Sequence, residues 1–357
     1  MQFNSGLRQA LNVVALYIGS VIGAGFASGQ EILQFFILSG SRGLYGVFLA
    51  ALLFSYLGGL VMMLSASLGS SGYNDIYDKI LGRRAGRLMD ILSLIMLPGG
   101  LIVMMAGGGA IFSEHLGLPH TLGTLLIAIV TAAVLSRGLQ GVMSANMVLV
   151  PLKVIVITVI CVTALINSGN VRCPLPEIAG EPGKNWAWSA ILYVSYNMVV
   201  PVAVLSSLGR SVSARPGALG GVLGGAAMGG VAGLVVLTGL CFYPGIASSE
   251  IPLLYISGDL GTPVTVLLGA LIWMAILTTA IADAHGFASR FAESNCRKYR
   301  LIGIGTVLLA LPVSSLKFSL LVKVLYPLFG YAGLILLFSL LFSVPFRIAR
   351  RRFRKTI

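Results

Sequence analysis

Long apolar segments follow one another along almost the whole chain, from about residue 10 to residue 344, and no block of soluble composition separates them. Of the 357 residues, 57% are hydrophobic and only 10% are charged. A soluble domain carries about 25% charged residues, so the composition excludes a water-soluble globular fold. Backbone polar groups in a bilayer must be satisfied within each spanning segment, and helices do this. We therefore expect an all-α, polytopic membrane protein.

Glycine, proline and charge clusters divide the chain into ten apolar segments, and a bilayer-spanning helix needs about 20 apolar residues. The first five segments cover residues 11–38, 44–68, 88–112, 122–135 and 144–166. The second five cover residues 186–208, 218–243, 264–287, 301–313 and 320–342. We predict ten transmembrane helices, of which the fourth and ninth are the shortest. We treat residues 1–357 as a single transmembrane domain with a basic tail at 345–357.

Lysine and arginine are distributed unevenly between the two sides of this path. With the N-terminus inside, eighteen of the 24 basic residues lie in cytoplasmic segments, as the positive-inside rule requires. We therefore predict that both termini are cytoplasmic. The net charge of +13 then reflects topology and not nucleic-acid binding, and the basic tail is expected to contact anionic lipid.

The N-terminal segment has a second interpretation, as a signal peptide whose apolar part is followed by the small residues of a cleavage site. Gln30 and Glu31 instead lead directly into a further apolar run, and Arg8 is the single basic residue before the segment. These features favour one retained span with an interruption.

The interruption lies in the stretch GSVIGAGFASGQEI, which places four glycines in the middle of the first span: Gly19, Gly23, Gly25 and Gly29. Each glycine weakens a helix by about 1 kcal/mol relative to alanine. The alternative is close helix packing through small residues four apart. In the seventh span we assign that packing role to Gly221, Gly225, Gly229 and Gly233.

A second weak point lies in the sixth span, where Ser195, Tyr196 and Asn197 precede Pro201. Proline removes a backbone hydrogen bond and clashes with the carbonyl four residues before it. Breaks in the first and sixth of ten spans divide the chain into two five-span halves, at about 8–168 and 185–343. The halves start on opposite sides, so the repeat is inverted, and this arrangement is typical of secondary transporters with the site at the breaks.

The same residues carry a resemblance to a known family. GSVIGAGF resembles the unwound first-helix motif of the amino acid–polyamine–organocation (APC) superfamily, which has the five-plus-five inverted repeat of the leucine transporter. YIGSVIGAGFASGQEILQFF, residues 17–36, resembles the YkvI-like membrane proteins, a bacterial family within that superfamily. The resemblance implies a transporter in the bacterial cytoplasmic (inner) membrane, and it fixes no substrate.

The resemblance also implies a substrate site at the two breaks. Backbone N–H groups at the first break would bind a substrate carboxylate, and carbonyl oxygens near Val194 and Ser195 would accept hydrogen bonds from its ammonium group. The substrate-binding residues implied are Gly23, Ala24, Gly25, Phe26, Gln30, Glu31, Ser195, Tyr196, Asn197 and Met198.

Two coupling ions are compatible with the sequence. In sodium-coupled relatives a pattern similar to Ala275, Thr278 and Thr279 faces carbonyls that match Gly19 and Ile22, and a hard cation prefers such oxygen ligands. The alternative is that each threonine hydroxyl bonds a carbonyl of its own helix.

Lys153 favours a proton as the coupling ion instead of sodium. In some proton-coupled relatives a lysine of the fifth helix occupies the place of sodium, and its ammonium group would repel Na⁺. The alternative is that Lys153 extends to the cytoplasmic interface.

Two acidic residues inside the spans are further candidates for coupling or substrate contact. Glu31 follows the first break, and pairing with Arg42 is its alternative. Asp283 shares a helix face with Thr279 and indicates an inner ion route, whereas the alternative is that Asp283 and His285 pair with Arg290 at the cytoplasmic mouth.

No catalytic or phosphate-binding motif is found, and the three histidines and four cysteines are scattered without metal-ligand spacing or a disulfide framework. We therefore expect no enzyme and no cofactor beyond a coupling Na⁺ or H⁺. The function predicted is ion-coupled transport of a small organic solute, an amino acid or related amine, by alternating access. The alternative is a transporter-like sensor that binds a nutrient without moving it.

Overall fold

The computed structural model describes residues 2–70, 82–137, 140–167, 180–181, 183–293 and 296–343, and these are mostly helical. The helices before residue 180 are α1 (Gln2–Val21), α2 (Ala24–Ser28), α3 (Gln30–Phe35), α4 (Gly43–Leu68), α5 (Gly82–His115), α6 (His120–Arg137) and α7 (Gln140–Asn167). Those after it are α8 (Trp186–Asn197), α9 (Val199–Ser207), α10 (Ala214–Cys241), α11 (Pro252–Ser257), α12 (Thr262–Ser289), α13 (Arg297–Ala310) and α14 (Phe318–Phe338). Short 3₁₀ turns cover Ile37–Ser39, Gly245–Ser248, Gly258–Leu260 and Val313–Ser315, and a π-helical turn, Ser339–Ser343, follows α14.

Six of the described helices are each long and apolar enough to cross a membrane, namely α4, α5, α7, α10, α12 and α14. The bent pair α8 and α9 is a seventh if the two helices count as one span. Helices also occupy the other three predicted segments, but the first is interrupted, α6 has a shorter apolar stretch, and α13 has only 14 residues. The count of ten spans and the inverted repeat therefore stay predictions.

The first predicted span is interrupted at the glycine-rich stretch, as the sequence indicated. Helix α1 ends at Val21, and Ile22 and Gly23 are not helical before α2 starts at Ala24. A second break follows at Gly29, whose φ of 82° lies in the left-handed region that glycine adopts readily. The glycines therefore end helices here and do more than pack against a neighbour.

The sixth predicted span is bent and not unwound. Helices α8 and α9 meet at Met198 with a bend of 41°. The N–H of Met198 still donates to the carbonyl of Val194 at 2.9 Å, and the carbonyl of Met198 accepts from Val202 at 3.0 Å. The expectation of a freed carbonyl at Val194 is therefore wrong. Pro201 cannot donate a backbone hydrogen bond, but Met198 keeps a helical conformation between the two helices.

The glycine stripe of α10 packs against α4, as its spacing predicted. A Cβ atom at Gly221 or Gly225 would overlap backbone atoms of α4, and one at Gly229 would overlap the Ala51 side chain. The fourth glycine of the stripe, Gly233, makes only an ordinary contact, 3.6 Å from Val47. Three of the four glycines thus allow the two helices to approach closely.

Cys241, the last residue of α10, is disulfide-bonded, whereas Cys161 and Cys296 are free. The scattered spacing of the cysteines did not predict this bond.

Candidate functional site

Lys153 reaches the break in the first span from α7. Its side chain is 4% exposed, and its Nζ donates a hydrogen bond to the carbonyl oxygen of Ile22 at 3.2 Å. Helix α1 comes close to α7 because Gly19 lies against Val150, where an added Cβ would be 3.3 Å from the valine side chain. Lys153 therefore points to the interrupted backbone and does not extend to the cytoplasmic interface.

The two threonines of α12 use their hydroxyl protons within their own helix. Thr278 donates to the carbonyl of Ala275 at 3.1 Å, and Thr279 donates to the same carbonyl at 2.8 Å. These bonds correspond to the alternative to a sodium site, in which each threonine hydroxyl bonds a carbonyl of its own helix. Their hydroxyl lone pairs stay available to a cation, but the Ala275 carbonyl is already shared by two donors.

Glu31 folds back onto the short helix α2. Its carboxyl group lies directly over the Cα of Gly25, so that an added Cβ there would overlap the glutamate Oε1. The side chain is 5% exposed, and its Oε2 has no hydrogen-bond partner among the described residues. The expected alternative, a salt bridge with Arg42, is wrong, because the one salt bridge in the described part of the chain joins Arg290 to Asp90.

Buried polar groups surround this carboxyl group. The side chains of Tyr196 and Asn197 lie beside it, and both residues belong to α8, the first helix of the bent pair. Gln30 is fully buried, and neither atom of its side-chain amide has a partner in the described ranges. Ala24 and Phe26, also predicted for this site, are buried in α2.

Aromatic rings connect this region to α14. The Tyr196 ring lies 5.1 Å from that of Tyr326 and 5.9 Å from those of Phe35 and Tyr193. The hydroxyls of Tyr193 and Tyr196 have no hydrogen-bond partner within the described chain. Sequence reasoning missed Tyr193 and Tyr326, because a tyrosine in an apolar segment carries no spacing signal of its own.

Two other predicted residues take part in helix packing. The Ser195 hydroxyl contacts the carbonyls of Leu192 at 2.8 Å and Gly330 at 2.6 Å, and so connects α8 to α14. The Met198 sulfur accepts a hydrogen bond from Tyr17 at 3.2 Å, which joins the bend to α1.

A cavity of about 470 Å³ lies between α5, α8, α9, α12 and α14. Its wall includes Tyr196, Asn197, Thr279, Asp283, Tyr326 and the Asp90–Arg290 pair. Asp283 forms no salt bridge with the described residues. Arg290 pairs with Asp90 at 3.2 Å, and His285 contacts the Tyr299 hydroxyl at 2.6 Å. The alternative in which Asp283 and His285 pair with Arg290 is therefore wrong.

Two relatives align with the chain over nearly their whole length. The membrane protein YkvI of Bacillus subtilis (strain 168) is 27% identical over 336 residues, which cover 93% of this chain and 95% of YkvI. The protein YyaD of the same organism is 29% identical over 335 residues, which cover 94% of this chain and 96% of YyaD. The chain is a YkvI homologue. This confirms the resemblance read from residues 17–36, although no model of a known protein family matches the chain.

Solved structures show the fold of this YkvI homologue. A manganese transporter of Eremococcus coleocola has a TM-score of 0.57 and 16% identity, covering 94% of this chain and 78% of the transporter. MhsT, solved with L-phenylalanine, has a TM-score of 0.58 and 17% identity over 95% of this chain and 97% of its own. Inward-facing Mhp1 has a TM-score of 0.54 and 14% identity, covering 92% of this chain and 73% of Mhp1. The YkvI homologue has the leucine-transporter fold that these proteins share. With its apolar helices, it is a multi-pass membrane protein.

Proposed function

We propose that the YkvI homologue is an ion-coupled secondary active transporter of a small organic solute, an amino acid or related amine, that works by alternating access. The solved structures with its fold are transporters, which supports transport rather than catalysis. The observation that carries the proposal is the contact between Lys153 and Ile22. It places an ionisable group on the interrupted backbone where transporters of this fold class bind substrate and ions.

The same contact favours protons over sodium as the coupling ion. A Na⁺ ion bound to the Ile22 carbonyl would lie close to the Lys153 ammonium group, and the two charges would repel each other. Protonated Lys153 holds the break through a charge-assisted hydrogen bond. Loss of its proton weakens that bond and allows α1 and α2 to change their relative position. Asp283, in the cavity wall, offers the proton an inner route.

The proposed orientation places both termini in the cytoplasm of a bacterial cell. In this topology the cavity opens to the inside through the Asp90–Arg290 pair, and the end of α10 lies outside. Disulfides persist in oxidising compartments, so the bonded state of Cys241 at that end supports the assignment. We place the protein in the cytoplasmic membrane, within the APC superfamily.

The substrate is proposed to bind between the two interruptions. Gly23 allows close approach to the backbone at the start of α2, while Gln30 and Glu31 supply buried polar groups. Tyr196, Asn197 and Met198 shape the opposite wall at the bend of α8 and α9. MhsT was solved with an amino acid bound, and this supports a substrate of that size.

Accumulation against a gradient tests this function. A thermal-shift screen of the purified protein against amino acids and amines identifies a ligand, which is then supplied in radiolabelled form to proteoliposomes. We expect the ligand to accumulate above its external concentration when an ion gradient is imposed, and to equilibrate when the gradient is collapsed. Binding without accumulation would contradict transport and indicate a sensor.

A further inference from the structure

The backbone of α2 at Gly25 is already covered by a carboxyl group of the protein itself. A Cβ atom at Gly25 would overlap the Oε1 of Glu31 and would lie 2.7 Å from its carboxyl carbon. The resemblance placed the carboxylate of an amino-acid substrate against this stretch of backbone. A second carboxylate beside Glu31 would meet both a steric clash and like-charge repulsion.

Glu31 also forms no salt bridge with the described residues. Its Oε2 is without a hydrogen bond in the described part of the chain, although the side chain is 95% buried. Lys153 donates to Ile22 and is not among the groups that act on this carboxyl group. A buried carboxylate without a cationic partner is costly, and a bound cation would offset that cost.

The charged and aromatic groups near the cavity also favour a cation. Tyr196 and Asn197 line the cavity and also act on the Glu31 carboxyl group, so these two residues connect this buried group to the cavity. Tyr326 interacts electrostatically with both Glu31 and Asp283. The basic side chain in the cavity wall, Arg290, is paired with Asp90. The ring centroids of Tyr196 and Tyr326 are 5.1 Å apart, and aromatic faces attract an ammonium group.

We infer that the substrate is an organic amine without a carboxylate, and that Glu31 is the counter-ion of its ammonium group beside Tyr196 and Asn197. The inference rests on the proposed transport function and narrows its substrate class from amino acids and amines to amines. Glu31 takes the place of a substrate carboxylate, and Asp283 attracts the cation from the inner end of the cavity. The aromatic walls hold the apolar part of the amine.

A matched pair of ligands tests the inference on the wild-type protein. Phenethylamine and L-phenylalanine differ only in the carboxylate, and their binding to the purified protein is measured by calorimetry at one pH. We expect phenethylamine to bind at least about tenfold more tightly, because L-phenylalanine would bring a second carboxylate beside that of Glu31 and the two like charges would repel each other. Equal or tighter binding of L-phenylalanine would overturn the inference. So would the failure of phenethylamine to bind at about 10 mM, a concentration at which weak ligands are detected.

Two variants test the role of Glu31. Glu31→Gln keeps the size of the side chain, and we expect it to weaken phenethylamine binding at least about tenfold with little change in Tm. Asp259→Asn removes an exposed carboxyl group in the turn before α12 and serves as the control, with unchanged binding expected. Equal losses of phenethylamine affinity in both variants, or no loss of affinity in Glu31→Gln, would overturn the inference.

Uptake separates this inference from the proposed function. Phenethylamine uptake is measured in proteoliposomes and corrected for passive permeation with protein-free liposomes. Specific binding without protein-dependent accumulation would contradict transport and leave the amine site standing. Protein-dependent accumulation of L-phenylalanine in preference to phenethylamine would overturn the amine site and leave transport standing.

Discussion

The ammonium nitrogen of Lys153 lies 3.2 Å from the carbonyl oxygen of Ile22, and this contact joins α7 to the point where the first helix is interrupted. The contact depends on two features of the first helix. The glycine-rich stretch ends α1 next to Ile22, and the close approach at Gly19 brings the lysine within reach. A buried ionisable group therefore contacts the backbone where the first helix is interrupted.

Gly25→Ala tests whether Glu31 must lie on α2. The added Cβ would displace the Glu31 carboxyl group, which is the flexible end of a side chain, so the fold should adjust. We expect ligand affinity to fall at least about tenfold, because the displaced group loses a charge-assisted contact, while Tm changes little. Gly305→Ala in α13 is the control, since an added Cβ there would meet no described atom within 4 Å. Similar affinities for the two variants would contradict this account.

Gly225→Ala tests the packing of α10 against α4. The new methyl group would overlap the backbone at Phe54 and Ser55, which cannot move as a side-chain end can. Overpacking costs about 1–3 kcal/mol, so we expect a lower Tm in detergent. Gly230→Ala, in the same helix, meets no described atom within 4 Å, and its Tm should be unchanged or slightly raised. A stable Gly225→Ala variant would show that the two helices are less closely packed.

Glu250→Gln tests the pH dependence of a contact outside the spans. Glu250 accepts a hydrogen bond from the Phe318 N–H at 3.0 Å, and burial, aided by the charge of Glu114, raises the pKa of its carboxyl group. His120 and Lys317 act in the opposite direction.

Because the pKa of Glu250 is higher in the folded than in the unfolded protein, its protonated carboxyl group contributes to folding stability. This contribution is complete below the ordinary pKa of 4.5, and it is lost as the pH rises through the pKa of the folded state. Glu250→Gln removes this titration. We expect Tm to fall less in the variant than in the wild type between about pH 4 and pH 7. Identical pH profiles of Tm, measured with Asp259→Asn as the carboxyl control, would show that Glu250 does not contribute.

The sequence predicted the features that follow from backbone chemistry. Clustered glycines weaken a helix wherever they occur, so the break beside Gly23 was found from local composition. The stripe containing Gly221 and Gly225 was identified as a packing surface because its period matches one helix face. Lys153 was found because a lysine deep in an apolar segment requires a partner.

Features that depend on the positions of neighbouring helices were not predictable. Nothing local to Pro201 shows whether the chain unwinds or bends, and the helical conformation retained at Met198 decides it. Asp90, which pairs with Arg290, is 200 positions away in the sequence. The fold of Glu31 onto Gly25 depends on the second break at Gly29, whose left-handed conformation sets the direction of α3.

Uptake driven by separate ion gradients tests the central claim most directly. Proteoliposomes are loaded to impose either a pH gradient or a Na⁺ gradient, and accumulation of a ligand found by the thermal-shift screen is compared for the wild type, Lys153→Met and Lys323→Met. Lys323 is an exposed lysine of α14 and provides the matched control. The account predicts that the pH gradient alone drives uptake by the wild type and Lys323→Met, and that Lys153→Met loses this dependence on pH. Accumulation driven by Na⁺, or pH-driven uptake retained in Lys153→Met, would contradict it.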